Sequence, residues 1–266
     1  MLPQEKAKDH IRQRFSRAAH SYDQYAHVQR QAAEWLMESL TQQPAAILEI
    51  GCGTGNLTRL LADRFPEARI TALDFADAML AEARNKVGGS GRVCFHCVDG
   101  EAFISSTAER YDLVISNATL QWFTDLSATF HHLGRLLNDD GRVALSLFGP
   151  GSFQELATAM REIVDPAIQL PAEFFCAAKD AEALARKVFN RVGVATQVIE
   201  REYATFFDIL DHIKKTGTGG YHEKVPHLSR SALRNLGQWF AGRGGYAISY
   251  EIFLLNCHGV RREEER

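Results

Sequence analysis

A glycine-rich turn is the part of this sequence whose residue types and spacing most clearly suggest chemistry. Gly51, Gly53 and Gly55 follow a short apolar run at residues 46–50 and precede a helical pattern. Glycines at a strand-to-helix turn let the backbone bend tightly and let a ligand approach it closely. A dinucleotide fingerprint would also require Gly or Ala at position 56, where this chain has Asn. The turn therefore predicts a nucleotide-like cofactor, and its spacing departs from the dinucleotide pattern.

An acidic residue just before the turn indicates which kind of nucleotide-like cofactor the turn would bind. Glu49 and the three glycines give the spacing E-x-G-x-G-x-G, which resembles the first motif of class I S-adenosylmethionine methyltransferases. Asp74 ends the second strand of the pattern, where a carboxylate can accept hydrogen bonds from both hydroxyls of an adenosine ribose. Met79 follows on the next helix and would pack against the adenine ring. We therefore predict an S-adenosylmethionine site, with S-adenosylhomocysteine as the product.

Two polar residues end the next two strands of the pattern. Asp99 follows the third strand and could accept a hydrogen bond from the adenine amino group, whereas Asn117 ends the fourth and would border the methionine end. An acidic residue at a strand end is also often the cap of the following helix, which is the simpler interpretation of Asp99 alone. Because all these positions lie at successive strand ends, we favour one shared cofactor site.

The elements that must position these residues alternate between strand and helix. Five strand–helix alternations within about a hundred residues predict a doubly wound, mostly parallel α/β sheet. The predicted strands cover residues 46–50, 69–74, 92–98, 111–116 and 142–148, with a turn at 138–141. The pattern of residues 6–40 predicts helix. In the last third of the chain, the pattern predicts helices at 152–165, 180–192, 207–215 and 229–241. It also predicts strands there at 194–205 and 246–257.

Composition excludes several classes of protein. Apolar residues make up 45% and charged residues 24% of the chain, which is ordinary for a globular protein. The net charge of −3 disfavours a nucleic-acid binder, and no apolar run reaches the ~20 residues of a membrane helix. The first thirty residues lack a signal-peptide core. We expect a cytoplasmic monomer with neither a nucleic-acid nor a membrane partner.

The cysteines do not suggest a metal site. Their number is five, which argues against a secreted disulfide framework. Cys94 and Cys97 lie in a predicted strand, where residues three apart point to opposite faces, so the pair is poorly placed to share a zinc ion. We expect both to be small, buried apolar side chains and predict no metal.

Several longer segments resemble the malonyl-[acyl-carrier protein] O-methyltransferases of biotin synthesis. The similar segments include FSRAAHSYD at 15–23, SNATLQW at 116–122, HIKKTG at 212–217 and LSRSAL at 228–233. The resemblance spans residues 11–256 and implies a seven-stranded sheet with helices over its carboxyl edge. It implies a single domain made of an N-terminal helical lid (1–43), a cofactor-binding core (44–150), a segment with helical insertions (151–245) and a final strand (246–257).

The resemblance also implies an activity: methyl transfer from S-adenosylmethionine to the free carboxylate of malonyl-acyl carrier protein, or of malonyl-CoA. A carboxylate is already ionised near neutral pH, so the reaction needs no general base. We therefore expect one or two fixed hydrogen-bond donors and select Tyr22, Gln121 and Lys214 as catalytic candidates. The simpler interpretations are a packed aromatic residue, a polar residue on a helix surface and a solvated lysine, respectively.

Residues 1–17 are basic within an acidic chain, since they hold five Lys or Arg against two Asp or Glu. Acyl carrier proteins are generally acidic, so Arg14 and Arg17 could form a docking site. An ordinary solvated helix face is the alternative.

Two other functions remain open. Another small-molecule O-, C- or N-methyltransferase would share every cofactor motif. A non-enzymatic protein that binds S-adenosylmethionine would keep the glycine turn and lose the acceptor pocket.

Overall fold

The structure, a computed structural model, describes residues 4–89, 91–217 and 228–261. In this part of the chain seven strands form one sheet in the order β3-β2-β1-β4-β5-β7-β6. The strands are β1 (Ala46–Ile50), β2 (Arg69–Asp74), β3 (Val93–Cys97), β4 (Tyr111–Asn117), β5 (Leu137–Phe148), β6 (Phe189–Tyr203) and β7 (Tyr246–Val260). The first five strands pair in parallel, and β7 runs antiparallel between β5 and β6. The predicted mostly parallel, seven-stranded α/β fold is confirmed.

The helices cover both faces of the sheet and its carboxyl edge. They are α1 (Gln4–Tyr25), α2 (His27–Glu38), α3 (Asn56–Arg64), α4 (Asp77–Val87), α5 (Gly100–Ser106), α6 (Leu126–Arg135), α7 (Gln154–Ile163), α8 (Ala178–Arg186), α9 (Phe206–Lys215) and α10 (Arg230–Ala241). Part of the predicted segment 151–245 lies outside the described residues. None of the helices in the described ranges combines the length and the apolar character that crossing a bilayer requires.

The central strands β1 and β4 are mostly apolar because they are buried on both faces. On β1, Ile47 packs in a cluster with Leu36 of α2 and Leu61 of α3. The next residue, Leu48, points to the other face and packs in a cluster with Phe130 of α6. Successive strand residues alternate between faces, so a strand covered on both sides needs an apolar residue at nearly every position. This packing fixes the carboxyl ends of the strands, where the site lies.

Two element predictions were wrong in their boundaries. The helix predicted over 180–192 ends at Arg186, and β6 begins at Phe189, which is fully buried and pairs with Val260. Pairing with a strand from the far end of the chain outweighs the local helical pattern here. The turn predicted at 138–141 lies inside β5, as an interruption of its pairing with β4.

The prediction that Cys94 and Cys97 are buried was also wrong. Both side chains are exposed and both thiols are free. The cause is the position of β3, which is the edge strand of the sheet, so that one of its sides has no neighbouring strand. The sequence pattern of a strand does not reveal whether the strand is central or at an edge.

Candidate functional site

A cavity lies at the carboxyl ends of β1, β2 and β4, beneath α1. It holds about 1000 Å³ of empty space, part of which opens to solvent. The glycine turn forms one wall, and Ile11, Phe15 and Tyr22 of α1 contribute to its cover. This is the position at which doubly wound sheets bind ligands.

The glycine turn is shaped by its position after β1. The amide nitrogens of Gly51 and Cys52 both donate to the carbonyl of Leu73, at 2.8 Å each. Gly51 has a φ of +74°, and a Cβ there would collide with the Thr119 side chain. Gly53 has a φ of +54° with open space beside it, so a ligand can approach its backbone.

The third glycine has a different role. Gly55 has a φ of +81°, and a Cβ at this position would lie 3.0 Å from Ala83 of α4. This glycine therefore permits close packing of α3 against α4. The first two glycines shape the cavity wall, and the third fixes the helix that follows it.

Asp74 ends β2 and supports the turn directly. Its Oδ2 accepts a hydrogen bond from the Gly53 amide at 2.9 Å, and its Oδ1 accepts one from the Ala76 amide at 2.8 Å. The residue is 9% exposed and lines the cavity. Burial raises the pKa of its carboxyl to about 6, although the backbone hydrogen bonds oppose the rise. A carboxylate oxygen can accept more than one hydrogen bond, so Asp74 can serve both the turn and a ligand.

Glu49 is the most unusual group of the cavity. Its side chain is 1% exposed, and its Oε2 has no hydrogen-bond partner among the described residues. Burial raises the pKa of this carboxyl to about 8, and the charge of Asp74 adds to the rise. A buried acceptor without a partner is costly, so a ligand that brings a cationic donor would be stabilised here.

Met79 and Asp99 line the side of the cavity formed by β2 and β3. Met79 is buried against Ala19 of α1. Asp99 caps α5, since its Oδ1 accepts from the Glu101 amide at 2.8 Å. Its Oδ2 also accepts from Lys8 Nζ at 2.6 Å, and Lys8 pairs with Glu101 as well. Asp99 is thus a helix cap and an ion-pair partner that also lines the cavity.

Asn117 joins the cavity to α2. Its Nδ2 donates to the backbone carbonyl of Gln29 at 3.0 Å, and its Oδ1 accepts from the Ser146 hydroxyl. The next residue, Ala118, has a φ of +52°, which is unusual for a residue other than glycine. Both residues line the cavity. The end of β4 therefore has a strained backbone at the functional edge, a common feature of ligand sites.

The three predicted catalytic residues lie in different places. Tyr22 lines the cavity, and its ring contacts Phe15 edge-to-face with 6.4 Å between centroids. Burial raises the pKa of its hydroxyl, and the charges of Asp74 and Asp23 add to the rise. Tyr22 is therefore a neutral donor at physiological pH.

The other two predicted catalytic residues do not line this cavity. Gln121 turns its Nε2 to the Ala118 carbonyl at 2.8 Å, and Lys214 is exposed on α9. These positions give no support to the predicted roles of Gln121 and Lys214.

Sequence reasoning missed several residues of the cavity. Gln29 is 6% exposed, lines the cavity, and has an Oε1 without a partner in the described part of the chain. Phe15 and Trp122 also line it, with 6.3 Å between their ring centroids. These residues belong to the N-terminal and 116–122 segments that carry the family resemblance, or lie beside them. That resemblance was the available signal, since an isolated Phe, Trp or Gln predicts nothing by type.

The residues present fit an adenosylated sulfonium amino acid. Asp74 offers acceptors for ribose hydroxyls, and the Oε2 atom of Glu49, which lacks a partner among the described residues, offers one for an ammonium group. Met79 and the aromatic rings supply apolar walls for a base. In the described ranges, no cluster of His, Cys, Asp or Glu has the spacing of a metal site.

Comparison with known proteins yields both a family and a fold. The family described as "Methyltransferase domain" matches residues 48–143. A malonyl-[acyl-carrier protein] O-methyltransferase of Acetivibrio thermocellus is 38% identical over 262 residues and covers 92% of each chain. A protein of the same name from Bacillus anthracis is 33% identical, over 92% of this chain and 95% of its own.

Among solved structures, phosphoethanolamine N-methyltransferase 2 of Haemonchus contortus, in complex with S-adenosylhomocysteine, superposes with a TM-score of 0.53. It is 17% identical over 85% of this chain, and the match spans 52% of its own length. At that identity the likeness establishes the fold alone, which is that of class I methyltransferases.

Proposed function

Because this chain belongs to the malonyl-[acyl-carrier protein] O-methyltransferase family, we propose that it methylates the free carboxylate of malonyl-acyl carrier protein. The methyl donor is S-adenosylmethionine, and the product is the malonyl methyl ester on its carrier. The observation that carries the proposal is the cavity itself, in which a buried carboxyl with one oxygen unpartnered among the described residues and a ribose-type acceptor lie beneath an N-terminal helix.

The roles of the cofactor residues follow from their positions. When bound, S-adenosylmethionine supplies a methyl group on a positively charged sulfur. Asp74 would accept hydrogen bonds from its ribose, Glu49 would accept one from its ammonium group, and the Gly53 backbone would allow its close approach. Asp99 and Met79 would border the adenine, and Asn117 would border the methionine end. These assignments use the polar residues Glu49, Asp74 and Asn117, which lie at the ends of β1, β2 and β4 and line the cavity.

The chain's own contribution to the chemical step is placement. The malonyl carboxylate is the nucleophile and is already ionised, so no residue has to remove a proton. Tyr22 donates a hydrogen bond that orients the carboxylate without neutralising its charge. Phe15 and Trp122 keep water out of the reacting space. Holding two reactants in contact can lower a barrier by several kcal/mol.

The chemical step is therefore expected to be independent of pH from about 6 to about 8. Burial keeps Tyr22 protonated in this range, and no ionised base takes part. The single-turnover rate should be measured with saturating cofactor, because the pKa values of Glu49 and Asp74, about 8 and about 6, make cofactor binding itself depend on pH. A rate that climbs tenfold per pH unit would point to a general base and to a different acceptor.

A comparison of acceptors tests the proposal. Malonyl-carrier protein should support formation of S-adenosylhomocysteine, whereas acetyl-carrier protein, which lacks the free carboxylate, should not. Equal turnover with both would place the methyl on another atom and overturn the proposed substrate.

The N-terminal helix also offers a surface for the carrier. Arg14 and Arg17 lie one turn apart on α1 and are exposed, and unlike Ile11 and Phe15 they do not line the cavity. We expect Arg14→Glu with Arg17→Glu to raise the KM for malonyl-carrier protein by about tenfold at low salt, and to change the KM for malonyl-CoA much less. Steady-state kinetics on both substrates gives the comparison. Equal losses on both would assign these residues to the lid, and no loss on either would assign them to ordinary surface.

A further inference from the structure

A polar cluster outside the predicted site ties the end of α1 to the glycine turn. The Oδ1 atom of Asp23 accepts from Thr54 Oγ1 at 2.6 Å and from Asn56 Nδ2 at 2.9 Å. Its Oδ2 accepts from Lys86 Nζ at 2.6 Å, and the same ammonium donates to Asn56 Oδ1 at 2.6 Å. We call these four residues the latch. It joins α1, the turn with the start of α3, and the end of α4.

The latch lies between the lid and the cofactor wall. Thr54 and Asn56 line the cavity, whereas Asp23 and Lys86 do not. Asp23 is the neighbour of Tyr22 in α1, so the position of one fixes the position of the other. The backbone carbonyl of Asp23 also accepts from Arg30 of α2. The latch therefore fixes the position of the last turns of α1 relative to the glycine turn. In doing so it also fixes the position of Tyr22 over the cavity.

The charges of the latch residues favour the hydrogen-bonded arrangement described above. Partial burial alone would raise the pKa of Asp23, but hydrogen bonds from Lys86, Thr54 and Asn56 hold it below its ordinary value. The side chains of Lys86 and Asp23 are 25% and 39% exposed, so neither charge is fully desolvated. Exposed ion pairs contribute little to overall stability. A pair in this position is better suited to fixing a geometry, because Asp23 receives three donors from two other elements.

The other end of α1 is held in a similar way. Lys8 pairs with Asp99 at 2.6 Å and with Glu101, at the far side of the cavity. The helix is thus fixed at both ends, and its middle, with Ile11 and Phe15, covers the opening. Lys8 reaches the cavity lining at Asp99, and a third pair joins His20 of α1 to Glu82 of α4 at 2.6 Å. Among these contacts of α1, the latch is the one that includes residues of the glycine turn.

We propose that Asp23 and Lys86 are positioning residues that hold α1 closed over the cofactor cavity by joining it to Thr54 and Asn56 of the glycine turn. Only the consequence for catalysis rests on the proposed function, because Tyr22 must lie above the cavity to orient an acceptor. The lid and its coupling to the cofactor do not depend on which acceptor is methylated.

Hydrogen exchange and cofactor binding test the latch without any acceptor. In the Lys86→Met variant of the cofactor-free protein, amide exchange over residues 11–25 should become about tenfold faster, the effect of losing one charge-assisted hydrogen bond. The Kd for S-adenosylmethionine, measured by calorimetry, should rise by a similar factor. Asp23→Asn should act in the same direction, and Lys86→Arg should restore both values towards those of the wild type.

Asp63→Asn is the matched control. It removes an exposed ion pair with Arg59 at 2.9 Å on α3, close to the latch but outside it, and should change neither readout. Unchanged exchange over α1 in Lys86→Met would overturn the proposal. Equally faster exchange in α1 and in the central strands β1 and β4 would also overturn it, because that result marks general destabilisation. Failure of the wild type to methylate malonyl-carrier protein would refute the proposed function and leave the exchange result intact.

Discussion

The Asp74→Asn variant is expected to bind S-adenosylmethionine on the order of a hundredfold more weakly than the wild type. Hydrogen bonds to a charged group contribute ~1.5–3 kcal/mol each, and the variant loses the charge that strengthens two of them. Asparagine keeps the shape of the side chain and one carbonyl acceptor for the turn. Calorimetry on the folded variant measures the loss. Asp77→Asn, an exposed position on the first turn of α4, is the control and should bind normally.

Asp74 supports the glycine turn as well, so its replacement has a second effect. Its two oxygens accept from the amides of Gly53 and Ala76, and a poorer acceptor loosens both contacts. Removal of a buried charge whose pKa is raised acts in the opposite direction and favours folding. We therefore expect only a small net change in the free energy of unfolding beside the large loss of affinity. Unchanged affinity in a folded variant would remove Asp74 from the cofactor site. In the wild type, affinity should fall as the pH drops below about 6, because protonation of Asp74 removes its charge.

The Glu49→Gln variant is expected to be more stable than the wild type and to bind the cofactor more weakly. The pKa of Glu49 is raised from 4.5 to about 8 by burial in the cofactor-free protein. A group with a raised folded-state pKa contributes stability that is complete below its unfolded value and is lost as the pH rises through the folded value. The advantage of glutamine in unfolding free energy should therefore be absent near pH 4.5 and grow towards pH 8.

The same substitution should weaken cofactor binding, although it raises the free energy of unfolding. An ammonium group beside the unpartnered Oε2 of Glu49 would favour the ionised carboxylate, so cofactor binding near neutral pH should release a proton. Calorimetry in buffers of different ionisation enthalpy would detect this release in the wild type and its loss in Glu49→Gln. A variant that binds as tightly as the wild type, with the same proton release, would show that Glu49 does not contact the cofactor.

Much of the fold could be predicted because the parallel core obeys local rules. Strands β1 and β2 are buried over most of their length, and their predicted limits agree with the structure. The errors lie where distant chain segments decide. Phe189 belongs to a strand because Val260 pairs with it, and Cys94 is exposed because β3 has a neighbour on one side only. Neither fact is present in the local sequence.

The residues of the site that lie at strand ends could be predicted from the sequence, whereas the residues that cover it could not. Residues at the ends of parallel strands, such as Asp74 and Asn117, must meet at one edge of a sheet, so their spacing was informative. The cover was not predictable in this way, because the path of α1 is set by contacts such as Lys8 with Asp99 and Asp23 with Lys86. Those pairs join residues far apart in the chain, and a charged residue on a helix gives no indication of its partner.

Mass spectrometry of malonyl-acyl carrier protein after incubation with this protein and S-adenosylmethionine would identify both the acceptor and the methylated atom. We expect a carrier that gains one methyl group, which fragmentation locates on the distal carboxylate of the malonyl thioester. An unmodified carrier, found together with a cofactor that binds normally, would contradict this expectation, as would a methyl group on any other atom of the carrier.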